Sequence, residues 1–326
     1  MTPTKSDFID LFEHRLSDEA MREFLLSLTL DKNTPSSMIA TAATVMRDSC
    51  IILEVPSELK SKLIDVVGTG GDKSGSFNVS STVSIVLAAA GAYVAKHGNR
   101  SITSKSGSAD VLETLGVRLN LTPEQNSALL QECGFAFLFA QYHHPAMKFI
   151  MPIRKSISEK TIFNILGPLT NPVGLSKILL GVFEPDFVPK MAEAARDMGM
   201  SSVIAVSSYE AMDEISISSD TYAAFLKDGE ISYFDIKPEE LGIDRVHFDA
   251  IKGGDAAMNA SIMYDVFHNR STDAQRDMVL VNSAYAMIAE GMANSAEEAM
   301  DIAREVLLSG KAADKLKQIV EVSSKL

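Results

Sequence analysis

Leu63-Ile64-Asp65-Val66-Val67, running straight into Gly68-Thr69-Gly70-Gly71-Asp72, is the stretch on which the fold class turns. The first five residues form a short β-branched run, and the glycines stop it. A helical run over 82–90 follows, and then Ala92-Tyr93-Val94-Ala95, a second strand. Strand, glycine turn, helix and strand make the βαβ unit of a parallel sheet. Outward from this unit, further strands are expected over 135–139, 178–183, 203–206 and 231–234. Helices alternate with them, one over 189–198, and from Ala256 the chain reads as mostly helical.

Upstream, residues 1–62 read as helical throughout. Ser17 is placed to cap a helix whose first turn carries Asp18 and Glu19. Thr34-Pro35 opens another, since proline suits the first helical position. The stretch 145–172, rich in proline, methionine and arginine, contains no clear strand and reads as an insertion returning to those helices. The expected organisation is a helical domain over 1–64, joined by an insertion at 149–173, and an α/β domain over 65–148 and 174–326 with a mostly parallel central sheet.

With 30 basic and 43 acidic residues the net charge is −13, and 46% of the chain is hydrophobic. That is globular composition, and too acidic for a chain whose main partner is a nucleic acid or an anionic membrane. Cys50 and Cys133 form no C-x-x-C pair, which excludes a disulfide framework and a cysteine zinc site. They read as two buried thiols. No apolar signal segment opens the chain and no apolar run reaches about 18 residues, so a cytoplasmic protein is expected.

The chemistry concentrates in 68–110. A glycine turn directly after a strand exposes backbone N–H groups and suits phosphate. The dinucleotide fingerprint fails, because Lys73 occupies its last glycine position and no acid follows at the ribose spacing. A Walker loop is absent. The common phosphoribosyltransferase loop wants two adjacent acids before a Thr-Gly turn, and only Asp65 is present. On these residues alone a plain connecting turn serves as well. The segment from Lys96 to Asp110 tips the balance: it holds Lys96, Arg100 and Lys105, with hydroxyls at 101, 103, 104, 106 and 108. It follows a strand, so it lies at the carboxyl edge of the sheet beside the first loop. Asn78, Ser80, Ser81 and Thr82 add polar groups at the start of the intervening helix. Two donor-rich loops in so acidic a chain point to a dedicated polyanion site.

Six motifs in order, Gly68-Thr-Gly-Gly-Asp72, Asn78-Val-Ser80, Lys96-His-Gly-Asn-Arg100, Ser106-Gly-Ser-Ala-Asp110, His144-Pro-Ala-Met-Lys148 and Asn164-Ile-Leu-Gly-Pro-Leu-Thr-Asn-Pro172, resemble the anthranilate phosphoribosyltransferase family. The likeness continues through Asp213-Glu214 and Gly253-Gly254-Asp255. It implies a nucleoside phosphorylase/phosphoribosyltransferase-like fold with the active site between the two domains, and a homodimer. It also implies transfer of phosphoribosyl from phosphoribosyl pyrophosphate (PRPP) to anthranilate in tryptophan biosynthesis. By the same resemblance PRPP is held by Gly68, Gly71, Asp72, Ser76, Asn78, Val79, Ser80, Ser81, Lys96, His97, Gly98, Asn99, Arg100, Ser101, Ile102, Thr103, Ser104 and Ser108. Ser80, Asp213 and Glu214 fall at the positions for two Mg²⁺ ions, and Lys96 joins the two acids in the site's electrostatics. Gly68, Asn99 and Arg154 match the anthranilate positions, and His97, His144 and Pro168 line the aromatic channel. Departures are Ser81 where threonine is usual, Thr103 where serine is usual, Lys73 where glycine is usual, and a shorter segment before Gly68.

Taken singly, several of these residues say less. Asp213-Glu214 is one of four adjacent acid pairs in the chain, no more than composition supplies by chance. Arg154 alone reads as a surface cation. His143-His144, taken as extended, would point to opposite faces. Two rival readings are a pyrimidine-nucleoside phosphorylase, which would carry a Ser-Gly-Arg-Gly type segment at 96–110, and a nucleic-acid-binding relative, which would carry a basic surface.

Overall fold

A computed structural model of the chain describes residues 3–72, 74–100 and 106–326. Its centre is a seven-stranded sheet: β1 Leu63–Gly68, β2 Tyr93–Gly98, β3 Phe135–Phe139, β4 Lys177–Gly181, β5 Ser202–Ser208, β6 Thr221–Lys227 and β7 Glu230–Ile236. The order is β3-β2-β1-β4-β5-β6-β7, with β1 to β5 parallel and β6 and β7 antiparallel. The α/β class and the mostly parallel sheet are as expected. The chain turns outward on both sides of the β1–β4 pair, so the crevice beyond their carboxyl ends is where such a sheet binds ligands.

Strand β6 escaped the sequence reading because Ala223 and Ala224 at its centre carry little β propensity. The signal that could have found it is Asp228-Gly229, both at positive φ (51° and 88°), a two-residue hairpin turn into β7.

Side chains alternate across the sheet. Ile64, Val66, Leu179, Ile204 and Val206 face the helix Val79–Ala89 and the C-terminal helices. Leu63, Ile178, Leu180, Val203 and Ala205 face the N-terminal helices and the helix Val188–Asp197. Among the described residues no helix is long and apolar enough to cross a membrane.

The N-terminal region is not helical throughout. Helices occupy Lys5–Phe12, Asp18–Ser27, Ser36–Asp48 and Ser57–Lys60. Between the last two, Ile51 and Leu53 donate their N–H groups to His143 and Pro172 carbonyls, so that backbone is committed elsewhere. Ser17 Oγ accepts from the Ala20 N–H at 3.3 Å, as expected of a cap. Pro35 is the residue before the helix and not its first member. In 145–172 a helix spans Met147–Lys155 with Pro152 inside it, against the usual rule for proline. This stretch lies on the N-terminal helices: Leu30 N–H donates to the Lys160 carbonyl (2.8 Å), Ile162 N–H to Leu28 (3.0 Å), and Arg22 to Ser156 Oγ (2.7 Å).

One irregularity shapes the sheet. Beyond Leu63–Tyr93 and Ile64–Val94, β1 and β2 part, although each continues for four more residues. Side chains take over the ladder. Lys96 Nζ donates to the Val66 carbonyl (2.6 Å), Asn171 Nδ2 to the Ala95 carbonyl (2.8 Å), and the Asp65 carboxylate accepts from the His97 N–H (3.2 Å).

The loop after β5 is held by buried Asn282, on the helix Asp273–Glu290. Its Oδ1 accepts from the Ile215 N–H (3.0 Å) and its Nδ2 donates to the Ile215 carbonyl (2.8 Å). Asn282→Ala leaves both buried groups open. It should lower unfolding free energy by about 2–4 kcal/mol in urea titration; a change within about 0.5 kcal/mol would mean water replaces the amide freely.

Candidate functional site

The carboxyl ends of β1 and β4 are both glycine, Gly68 and Gly181, and the Asp213-Glu214 loop crosses directly above them. A Cβ at Gly68 would run into the Asp213 carboxylate, and one at Gly181 into the Asp213 carbonyl. Only glycine admits that loop, and Gly181 is a site-shaping residue that the sequence reading missed. Beyond β1 the turn adopts positive φ at Gly70 (67°) and Gly71 (76°), and the Gly70 N–H donates to Asp213 Oδ2 at 2.7 Å.

Glu214 accepts from Ser76 Oγ at 3.0 Å, and the neighbouring Ser80 backbone N–H opposes the rise of its pKa. Burial, then the charge of Asp72, pushes Asp213 up to about 7. Burial, then Asp213 and Asp72, pushes Glu214 well above the usual carboxylate range. Asp72 Oδ2 is buried with no protein partner among the described residues. Against these three acids stands one enclosed ammonium: Lys96, 1% exposed, reaches Ser80 Oγ at 3.2 Å, and burial draws it down to about 8. The pocket therefore gathers oxygen donors whose full ionisation needs more positive charge than Lys96 supplies among the described residues. That donor set suits a hard divalent cation such as Mg²⁺. Among the described residues no three His, Cys, Asp or Glu side chains already form a closed cage. Mg²⁺ does not require one, since it takes one or two carboxylates and completes its shell with water and phosphate oxygens.

The turn to the helix Val79–Ala89 is clamped from the far end of the chain. Asn259 Nδ2 donates to Asn78 Oδ1 (2.8 Å), Gly253 N–H to the Gly75 carbonyl (2.8 Å), and Phe77 N–H to Ile251 (3.2 Å). Asn259 was not singled out in the sequence; nothing in its local pattern marks it. Val79 is buried core, so its side chain packs and only its backbone borders the site. Ser81 Oγ is buried without a partner at this helix start.

On the β2 side, Ser108 Oγ donates to the Asn99 carbonyl (3.3 Å) and sits against Gly98, where a Cβ would meet it at 2.6 Å. Arg100 is exposed and ion-paired with Asp110 (2.9 Å) and Glu113 (2.6 Å), so the guanidinium is turned onto the helix Ser108–Thr114. Ser101, Ile102, Thr103 and Ser104, with Lys73 and Lys105, lie outside the described residues.

His143 and His144 end a short helix, Ala140–His143, and are not extended; both are buried. His143 Nδ1 lies 2.7 Å from the Ile51 carbonyl. The His144 ring packs 5.2 Å from the His97 ring, and Nε2 of each is buried without a partner among the described residues. Burial lowers His97 to about 3 and His144 to about 4, so both are neutral at physiological pH. Arg154 is half-buried, stacks 5.9 Å over Phe163, and has no acid within ion-pair distance among the described residues. Burial pulls its pKa down. An unpaired, half-buried guanidinium is no plain surface cation. Cys133 is buried but Cys50 is only partly so.

The glycosyl transferase family's a/b domain matches residues 60–313. The anthranilate phosphoribosyltransferase of Persephonella marina is 40% identical over 319 residues, covering 98% of this chain and 93% of the relative. The crystal structure of anthranilate phosphoribosyltransferase from Thermus thermophilus superposes with a TM-score of 0.91 at 34% identity, over 99% and 97% of the two chains. The Saccharomyces cerevisiae enzyme in complex with PRPP and Mg superposes at 0.86 with 26% identity, over 99% and 94%.

Asp65 offers a pH test of this electrostatic picture. Burial raises its carboxyl from 3.8 to about 6, against the pull of Lys96. Between those values the folded chain keeps a proton that the unfolded chain has released, so this contribution is full below 3.8 and is lost as pH rises through 6. In thermal melts, the stability gap between wild type and Asp65→Asn should narrow from about pH 4 to about pH 7. A gap independent of pH would show that Asp65 titrates normally.

Proposed function

This chain belongs to the anthranilate phosphoribosyltransferases of the glycosyl transferase family, and on that footing we propose that it moves the phosphoribosyl group of PRPP onto the amine of anthranilate, releasing pyrophosphate, in tryptophan biosynthesis. The observation that carries the reading is the cluster of Asp72, Asp213 and Glu214 beside exposed glycine N–H groups. Three half-buried carboxylates, ionised together, repel a polyphosphate unless a divalent cation lies between them.

On this reading Asp213, Glu214 and the Ser80 hydroxyl hold magnesium, as two ions. Bound there, it supplies positive charge against the leaving pyrophosphate. The Gly68–Asp72 turn and the start of the helix Val79–Ala89 offer N–H and hydroxyl donors to the phosphates, with Ser76, Asn78 and Ser81 beside them. Lys96 keeps a fixed ammonium beside Ser80 at the start of that helix. The C1–O bond of PRPP breaks, the anthranilate nitrogen bonds to C1, and that nitrogen sheds a proton. An aromatic amine attacks without a strong base, and the neutral His97 and His144 leave the channel uncharged. Positioning carries most of the rate.

Arg154 and Asn99 take the anthranilate end, the guanidinium forking onto the carboxylate. Arg100 and Ser108 serve PRPP, Arg100 by exchanging its acidic partners for phosphate. The same reading makes 1–64 with 149–173 the helical domain and 65–148 with 174–326 the α/β domain. It makes the protein a cytoplasmic homodimer.

Loss of anthranilate fluorescence should require both PRPP and Mg²⁺ and cease in EDTA. Turnover that survives chelation would remove the basis of the reading. Arg154→Ala should raise KM for anthranilate by about 10²-fold and leave KM for PRPP nearly unchanged. A rise in the PRPP constant alone would move Arg154 to the phosphate side.

A further inference from the structure

Asp65 and Asn171 are both buried, and neither belongs to the phosphate-binding or acceptor-binding groups above. Asn171 is the joint where three segments meet. Its Nδ2 donates to Asp65 Oδ2 (2.9 Å) and to the Ala95 carbonyl (2.8 Å), and its Oδ1 accepts from the Val173 N–H (3.0 Å). Both N–H donors of that amide and one lone pair of its oxygen are spent between β1, β2 and its own segment.

The residues just ahead of Asn171 reach the two buried imidazoles. The Gly167 carbonyl lies 3.2 Å from His97 Nδ1 and also accepts from Thr170 Oγ1 (3.0 Å). The Thr170 backbone lies beside the His144 ring and opposes the lowering of its pKa by burial. The Gly167 contact fixes His97 at Nδ1, the 167–171 segment flanks both rings, and the two Nε2 atoms, buried without a partner among the described residues, are the open polar points of that wall.

We infer that Asp65 and Asn171 are positioning residues for the aromatic acceptor: they pin the 167–171 segment into the split between β1 and β2, and so set the tilt of His97 and His144. The inference rests on the proposed anthranilate transfer. Asp65 acts from two sides, taking the His97 N–H while it holds Asn171. Asn171 makes no bond to the phosphate half of the site, and Asp65 touches that half only through its charge on Lys96. Lys96 and Ser80 meet on the opposite face of β1 and β2, where Ile64, Val66 and Val94 also point. Loss of the tie therefore separates the two substrates kinetically.

Steady-state kinetics of full-length Asn171→Ala and Asp65→Asn, with each substrate varied at saturating Mg²⁺, tests this. Asn171→Ala strips the amide. Asp65→Asn keeps an oxygen for the His97 N–H but sets two amide NH₂ groups against each other. KM for anthranilate should rise about tenfold in Asn171→Ala, and by less in Asp65→Asn. KM for PRPP should stay within about twofold, and kcat at saturating anthranilate within a few-fold. Equal increases in both constants, or a fall in kcat with neither constant changed, would show a merely structural role and overturn the inference. Thermal melts identify a variant that fails to fold, and Asp65→Asn then decides the matter alone. Wild-type protein inactive toward anthranilate would refute the proposed function instead.

Discussion

The split between β1 and β2 is the constraint on which the rest of the molecule depends. A parallel pair normally continues its ladder to the strand ends. Here it stops after two residue pairs, and a lysine, an aspartate and an asparagine close the gap. An unpaired buried backbone group costs on the order of 1–3 kcal/mol, so all three substitutes are needed. They also stand in a row: Lys96 on the face of the C-terminal helices, Asp65 and Asn171 on the face of the N-terminal helices.

The second condition is electrostatic. Burying one ion costs several kcal/mol unless it is paired. Asp72, Asp213 and Glu214 are gathered at the crevice with Lys96 as the enclosed cation. The fold sustains this by backbone donors from Gly70 and Ser80 and by the glycines under Asp213. The arrangement is poor as a stabilising cluster and well suited to a cation arriving with a phosphate ligand. Stability is given up where the ligand restores it, the usual pattern of a site built for binding.

How much of this could be read beforehand follows physical lines. The βαβ unit was plain because Leu63–Val67 and the glycine turn are local signals. Lys96, Asp213, Glu214 and Arg154 were singled out through the family resemblance, since Asp213-Glu214 alone is a chance-level acid pair and Arg154 alone reads as a surface cation. What stayed hidden depends on distant contacts. Asn259 and Asn282 are single amides in unremarkable surroundings, Asn171 sat inside a motif without a role of its own, and the meaning of all three appears only when segments far apart in the chain are brought together. Gly181 looked like a strand end, because the loop above it lies well downstream. Strand β6 was lost to its alanines, and the histidine pair to an extended geometry that the helix Ala140–His143 replaces.

Isothermal calorimetry of PRPP binding, with Mg²⁺ or in EDTA, on wild type and on the double variant Asp213→Asn, Glu214→Gln, addresses the central claim most directly. Wild type should bind PRPP only when Mg²⁺ is present. The double variant, relieved of two negative charges, should bind weakly and with little response to the metal. Equal affinity of the wild type for PRPP in EDTA would contradict the account, because the carboxylates would then not be acting against the phosphates at all.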